Sequence, residues 1–395
     1  MNKDLLSCAD LTKDDLNNII ELSRKLKQER GTPQAIKPLA GKSIGMIFAK
    51  SSTRTRVSFE VGIQELGGYP VVLDQGQTQM GRGETIPDTA HVLERYLQGI
   101  VIRTYKQSDV EGLAANSRYP VINALTDEFH PCQALTDIFT MWEHSNGKLE
   151  GLKLAYLGDG ASNMANSLML ATQLAGVEMA IAAPEEFVPL QSILNRSGYP
   201  GRSSWTTDVD EALRDADFIY TDVWVSMGFE AESRRRMEIL APYQLNMSNL
   251  KKAKPGAKVL HCLPAHRGEE ITDDVMDSNA SIVFDQAENR LHVQKAVLAV
   301  LLAVLCGIPA RAVELEPAYV RTVFDQTNGL PTDEANAVLQ TRDGYLWVGS
   351  YGGLLRFDGS EFHNFNTEGA IATPGCSSTK TASLPPCPVR KRTAI

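Results

Sequence analysis

Residues Ser52-Thr53-Arg54-Thr55-Arg56 place hydroxyls and guanidiniums side by side within one helical turn. They follow a short apolar run, Ile44 to Ala49, that predicts a buried strand. They precede a helical pattern with Phe59, Ile63 and Leu66 on one face, closed by Gly67-Gly68. A helix N-terminus offers free backbone N–H groups and the positive end of the macrodipole. Hydroxyl donors and arginine forks at such a corner make a site for a dianion. The plainer alternative is Ser52 as an ordinary N-cap with solvated arginines behind it.

Further chemistry-bearing groups recur just after predicted strands. Arg103 ends one. His130-Pro131-Cys132-Gln133 opens a long helix. A histidine at a helix start is biased toward the neutral form and can polarise a carbonyl, and Gln133 adds an amide. Alone, His130 reads more readily as a satisfied structural histidine. Gly158-Asp159-Gly160-Ala161-Ser162-Asn163 has the first two glycines of a dinucleotide fingerprint but Asn163 in place of the third, so the nicotinamide reading is weak. Asn163 instead presents an amide to a polar ligand. Asp222 can pair with an ammonium group or cap a turn, and the loop Ser226-Met227-Gly228 can hold the rest of an amino acid. Within His261-Cys262-Leu263-Pro264, Cys262 is a nucleophile by position or a packed thiol.

These groups need a scaffold, and the pattern supplies one. Strands are predicted at Ile44–Ala49, Pro70–Leu73, Gly99–Arg103 and Val121–Ala124, with a helix from about Gln133 to His144. The alternation restarts with strands at Leu152–Leu157, Glu178–Ala182, Phe218–Thr221, Lys258–Cys262 and Ser281–Phe284, and helices at Asn163–Ala175 and Val209–Arg214. Strands alternating with helices predict an α/β fold: two domains, each a mostly parallel sheet flanked by helices, over residues 1–140 and 141–290, with a cleft between them. Ligands of such sheets bind at the carboxyl ends of the strands.

The 395 residues are 43% hydrophobic and 22% charged, enough for a large globular core. A formal charge of −9 argues against nucleic acid or an acidic membrane as the main partner. The N-terminal stretch has no apolar segment of a secretory signal, and the longest apolar run, Ala296 to Ile308, is too short to span a bilayer. Six scattered cysteines without a CxxC pair predict reduced thiols in a cytoplasmic protein and no zinc site. Past Ile308-Pro309 the character changes. Residues 318–366 predict two short strands around Tyr351-Gly352-Gly353, and 367–395 a Ser/Thr/Pro-rich disordered tail.

Four motifs, in this order, resemble the ornithine carbamoyltransferase family: Ser-Thr-Arg-Thr-Arg, His-Pro-Cys-Gln, Asp222 with Ser226-Met227-Gly228, and His-Cys-Leu-Pro continuing to Arg267-Gly268-Glu269-Glu270. The first two are shared in form with aspartate carbamoyltransferases, and the resemblance covers about residues 1–308. It implies that Ser52, Thr53, Arg54, Thr55 and Arg56 grip the phosphate of carbamoyl phosphate, and that Arg103, His130 and Gln133 hold its carbonyl. It implies that Asn163, Asp222, Ser226 and Met227 bind L-ornithine, while Cys262, Leu263 and Arg290 complete the pocket. Gln79 is implied to serve a neighbouring subunit's site. The family also implies a homotrimer or a multiple of trimers, no metal or cofactor, and a closing helix over about 291–308 that packs back on the first domain. The resemblance implies citrulline as the product. Alternatives are a carbamoyltransferase for another amine, such as putrescine or an acylated ornithine, and a signal-responsive binding module. The latter rests on residues 319–365, which resemble one propeller repeat of bacterial two-component sensors.

Overall fold

The computed structural model describes residues 2–74, 83–196, 202–225, 233–304, 335–341, 345–350, 353–357 and 362–364. The chain separates into two units, Met1–Arg311 and Ala312–Ile395. Gln79, Ser226 and Met227 lie outside the described residues, as does the stretch 367–395.

In the first unit, β1 (Ser43–Phe48), β2 (Tyr69–Asp74), β3 (Gly99–Arg103) and β4 (Val121–Leu125) form a parallel sheet in the order β2-β1-β3-β4. The helices of this half are α1 (Lys13–Gln28), α2 (Thr53–Glu65), α3 (Ile86–Leu93), α4 (Gln107–Asn116) and α5 (Pro131–His144). Thr12 and Asp15 cap α1 reciprocally, the Thr12 hydroxyl accepting from the Asp15 N–H and the Asp15 carboxylate from the Thr12 N–H. Such a capping box stabilises a helix by about 1 kcal/mol.

A second parallel sheet contains β5 (Lys153–Leu157), β6 (Glu178–Ala182), β7 (Ser203–Thr206), β8 (Phe218–Thr221) and β9 (Lys258–Leu260), in the order β7-β6-β5-β8-β9. Its helices are α6 (Asn163–Ala175), α7 (Gln191–Leu194), α8 (Val209–Leu213), α9 (Ser233–Leu240), α10 (Met247–Leu250) and α11 (Asp273–Met276). The edge strand β7 is too short and polar to stand out in the sequence. The glycines of the weak fingerprint have local reasons. Gly158 turns the chain out of β5 at φ 127°, and a Cβ on Gly160 would come within 2.8 Å of the Phe187 carbonyl.

The long helix α12 (Val283–Val304) closes the unit. It packs against α1, α2 and α5, all elements of the first half. Of residues 281–284, predicted as a strand, Ser281 makes a single parallel bridge with Val259, and Val283 and Phe284 are already the first residues of α12. The helix starts eight residues before the expected Leu291. From Leu291 on its side chains are buried nearly all round, including Val293, Ala296, Val297 and Leu298 at 0% exposure, whereas its first two turns expose Phe284, Asp285 and Glu288, so no clean apolar stripe marks its start. One apolar cluster runs without a break from Ile44 and Val101 under the first sheet, through Phe139 and Leu168 on α5 and α6, to Tyr156 and Tyr220 in the second.

The second unit contains an antiparallel sheet of β10 (Ala335–Gln340), β11 (Leu346–Ser350), β12 (Gly353–Phe357) and β13 (Phe362–Asn364), in sequence order. The expected strand pair is β11 with β12, and a further strand flanks each. Among the described residues, no helix is long and apolar enough to cross a membrane.

Candidate active site

Arg103, at the end of β3, and Arg290, on α12, converge on the Thr55 hydroxyl of α2. Ser52 is the N-cap of α2, its Oγ accepting from the Thr55 N–H at 3.2 Å. The plain reading of Ser52 therefore holds locally, and it leaves the Thr55 hydroxyl free for other partners. Arg290 Nη2 donates to Thr55 Oγ1 at 2.7 Å, and Arg103 Nη1 approaches the same oxygen at 3.5 Å. Arg290 Nη1 donates to Gln133 Oε1. Both arginines are buried, Arg103 at 8% and Arg290 at 4% exposure. Burial, then the neighbouring Arg290 and Arg54 charges, pushes Arg103 down to about 10. Burial lowers Arg290 as well, with Arg54 adding to the effect. Among the described residues no carboxylate bonds to either guanidinium, and the Nε atoms of both are buried without a hydrogen-bond partner. Cations arranged this way fit an anion.

His130 sits beside them as the N-cap residue of α5. Its backbone N–H donates to Ser167 Oγ at 2.8 Å, tying α5 to α6. Burial, then Arg290 and Arg103, holds the imidazole well below its ordinary 6.5. The ring is neutral in the working pH range, and its Nδ1 has no protein partner among the described residues. Arg54 is exposed at the mouth of this pocket, with Thr53 next to it. Arg56 turns away, its Nε paired with Glu60 at 3.0 Å on the outer face of α2.

Facing the arginines, at the ends of β8 and β9, Cys262 Sγ donates to Asp222 Oδ1 at 3.0 Å. Burial, then the Asp222 charge, keeps the thiol well above its usual range, and burial also raises Asp222. A protonated thiol is a poor nucleophile, so Cys262 is a ligand or packing group here. The turn carrying it is fixed from behind. His261 Nδ1 accepts from the Leu263 N–H at 2.9 Å, so Nε2 carries the proton and meets Glu270 Oε1 at 2.9 Å. Leu263 has φ 58°, an uncommon state for a leucine, held by that bond. Asp222, His261 and Cys262 offer ligand atoms within 4.8 Å of one another, but both His261 nitrogens are already engaged. A metal there would have to displace the Leu263 or Glu270 contact. Asn163 opens α6 and donates to the Thr126 carbonyl at 2.7 Å, between the two halves.

The motifs thus bring together Thr55, Arg103, His130, Gln133, Arg290, Asp222 and Cys262. Sequence reading missed the groups behind them, Asp137, Gln286 and Tyr220. Asp137 lies one helical turn after Gln133, a spacing that signals contact on a helix face. Gln286 carries no local signal.

Parallel α/β halves with a cationic pocket at the strand ends define a class that the comparisons make specific. Residues 3–143 match a family model described as the carbamoyl-P binding domain of aspartate/ornithine carbamoyltransferase, and residues 150–301 match its Asp/Orn binding domain. A curated ornithine carbamoyltransferase of Oceanobacillus iheyensis is 50% identical over 306 residues, covering 76% of this chain and 94% of its own length. That of Syntrophus aciditrophicus is 50% identical over 304 residues, covering 76% of this chain and all of its own length. The solved ornithine carbamoyltransferase of Pyrococcus furiosus superposes with a TM-score of 0.72 at 48% identity, over 76% of this chain and 97% of that one. The chain belongs to the ornithine carbamoyltransferase family.

Proposed function

We propose that this protein transfers the carbamoyl group from carbamoyl phosphate to the δ-amine of L-ornithine, giving L-citrulline and phosphate, as in arginine biosynthesis. The observation that carries the reading is the convergence of Arg103 and Arg290 on Thr55 beside a neutral His130, with Asp222 and Cys262 opposite. The free N–H groups of α2, with Ser52, Thr53, Arg54 and Thr55, take the phosphate. Arg103, His130 and Gln133 hold the carbonyl oxygen. The uncharged δ-amine attacks the carbamoyl carbon, a C–N bond forms, and the C–O bond to phosphate breaks. Arg54, Arg103 and His130 meet the charge that builds on the carbonyl oxygen and the departing phosphate. Asp222, Cys262, Leu263 and Asn163 orient the amino acid, with Ser226 and Met227 from the loop outside the described residues. No covalent intermediate is needed, in keeping with a protonated Cys262.

In this reading residues 1–140 with the returning helix form the carbamoyl phosphate domain and residues 141–290 the ornithine domain. The enzyme is a cytoplasmic homotrimer with Gln79 completing a neighbour's site. The C-terminal sheet is a fragment of propeller-repeat type fused to the enzyme. Its four antiparallel strands support that reading, while a single repeat is too small to bury both faces.

The test is citrulline formation from carbamoyl phosphate with ornithine, putrescine and aspartate in parallel. Turnover with ornithine and little with the others is expected, and comparable turnover with putrescine would show that the α-carboxylate and α-amine go unread. For the shared site, Gln79→Ala and Arg103→Ala subunits are inactive alone and regain activity when co-refolded. No recovery in proven mixed oligomers would place the whole site within one chain.

A further inference from the structure

Behind the candidate site lies a buried polar group with no part in the roles above. Asp137, on the second turn of α5, is 0% exposed. Its Oδ1 accepts from Gln133 Nε2 at 2.7 Å and from Gln286 Nε2, on α12, also at 2.7 Å. The far ends of these two amides point to opposite sides of the site. Gln133 Oε1 accepts from Arg290 Nη1, while Gln286 Oε1 accepts from the His261 backbone N–H at 2.9 Å.

Both amide orientations are fixed by chemistry. A guanidinium and a backbone N–H can only donate, so each amide must turn its oxygen toward them. Each NH₂ then points at Asp137, and one carboxylate oxygen sets both. Tyr220 stands over Gln286, its hydroxyl 3.4 Å from Nε2. Burial raises Asp137 to about 7, against the pull of these donors and of Arg290. With or without its proton, Oδ1 remains an acceptor.

We propose that Asp137 is a positioning residue that locks the Gln133–Arg290 pair and the His261-Cys262-Leu263 turn into one register, so that the carbamoyl carbon and the attacking amine are aligned. This rests on the carbamoyl-transfer reading of the site. Asp137 touches neither substrate. Removing its oxygen leaves the NH₂ groups of Gln133 and Gln286 without their carboxylate acceptor, so both side chains can swing away from Arg290 and from the turn that carries Cys262. Alignment is lost, while Arg54 still grips the phosphate and Arg103 the carbonyl oxygen.

The experiment measures kcat and both KM values for Asp137→Asn, Asp137→Leu, Gln286→Leu and the Leu double variant, with circular dichroism and melting curves. Asp137→Asn keeps an acceptor oxygen and should stay close to the parent. Asp137→Leu should lose about tenfold to a hundredfold in kcat, the scale of a sub-ångström to 1 Å misalignment. Each KM should change less than kcat, because grip on the separate substrates survives. Gln286→Leu should move kcat in the same direction, and the double variant should be no worse than the poorer single one. If Asp137→Leu fails to fold, Gln286→Leu and Asp137→Asn decide. Folded Leu variants with the parent's kcat, an Asp137→Asn as damaged as Asp137→Leu, or additive losses would each overturn the proposal. A parent that makes no citrulline would remove the carbamoyl-transfer reading and this one with it. An active parent with unaffected variants would remove only this one.

Discussion

The arginine side of the site and the Asp222–Cys262 side are held in opposite ways. On the first, two cations are buried together, Arg103 at the end of β3 and Arg290 on α12, with the exposed Arg54 of α2 near enough to add its charge. Burial and their mutual charge push Arg103 and Arg290 down, and what they share is one neutral hydroxyl. On the second, burial raises a thiol and a carboxylate, and the thiol proton bridges them. The first side carries uncompensated charge until an anion arrives, whereas the second is already satisfied. Binding of phosphate or carbamoyl phosphate should therefore stabilise the fold far more than binding of an amino acid.

The largest effect is expected on the cationic side. Arg103→Ala should lower citrulline turnover by about 10²–10³, the scale of losing one transition-state charge contact. Melting without ligand should not fall, because one of two repelling buried cations is gone. Phosphate at about a hundred times its Kd stabilises a binding protein by about 2.7 kcal/mol, and in this variant that gain should shrink. A variant that melts much earlier but still gains from phosphate would reverse the comparison.

Cys262→Ala should cost less, about tenfold, equivalent to one hydrogen bond of about 1.4 kcal/mol. The loss should fall on the KM for ornithine rather than on that for carbamoyl phosphate. A drop beyond a thousandfold in kcat with unchanged KM would make the thiol a reacting group.

The pH dependence of stability separates two buried groups of opposite sign. His130 is held below its ordinary 6.5, so its contribution is complete above about 6.5 and is lost as pH falls toward the folded value. Asp137 is raised from 3.8 to about 7, so its contribution is complete below about 3.8 and is lost as pH rises toward 7. Asp137→Asn should therefore gain in melting temperature relative to the parent as pH climbs through that window. A flat difference would mean that Asp137 does not titrate there.

The smallest effect belongs to the C-terminal unit. A chain ending after Arg311, at the boundary between the two units, should keep its turnover and oligomer mass. Val338 and Leu339 are 62% and 64% exposed, so soluble yield should rise without them. Lost activity on truncation would make the sheet part of the enzyme.

Local pattern made most of the scaffold legible. Strands β3, β6 and β8 and helix α6 fall on the predicted residues, because short apolar runs between turn signals mark buried parallel strands. The edge strand β7 and the start of α12 were not legible, one being polar and short, the other carrying an exposed Phe284 that breaks the apolar pattern. Within the site, Ser52, Arg103, His130 and Asp222 stand out because each follows a strand.

Residue type and order determined the family, the two parallel sheets and the identity of the polar groups at the strand ends. Tertiary structure alone decided which of them share an atom. Arg290 meets Thr55 across 235 positions, and Gln286 meets Asp137 across 149. Helix α12 makes both contacts, fastened to the first half by Lys295 on Glu65 at 2.7 Å and Asn289 on Thr140 at 3.0 Å. The pairing of Arg56 with Glu60, by contrast, follows from local spacing, because 100° per residue turns Arg56 to the other side of α2 from Arg54. The contacts of α12 depend on the packing of whole helices, which no local spacing encodes.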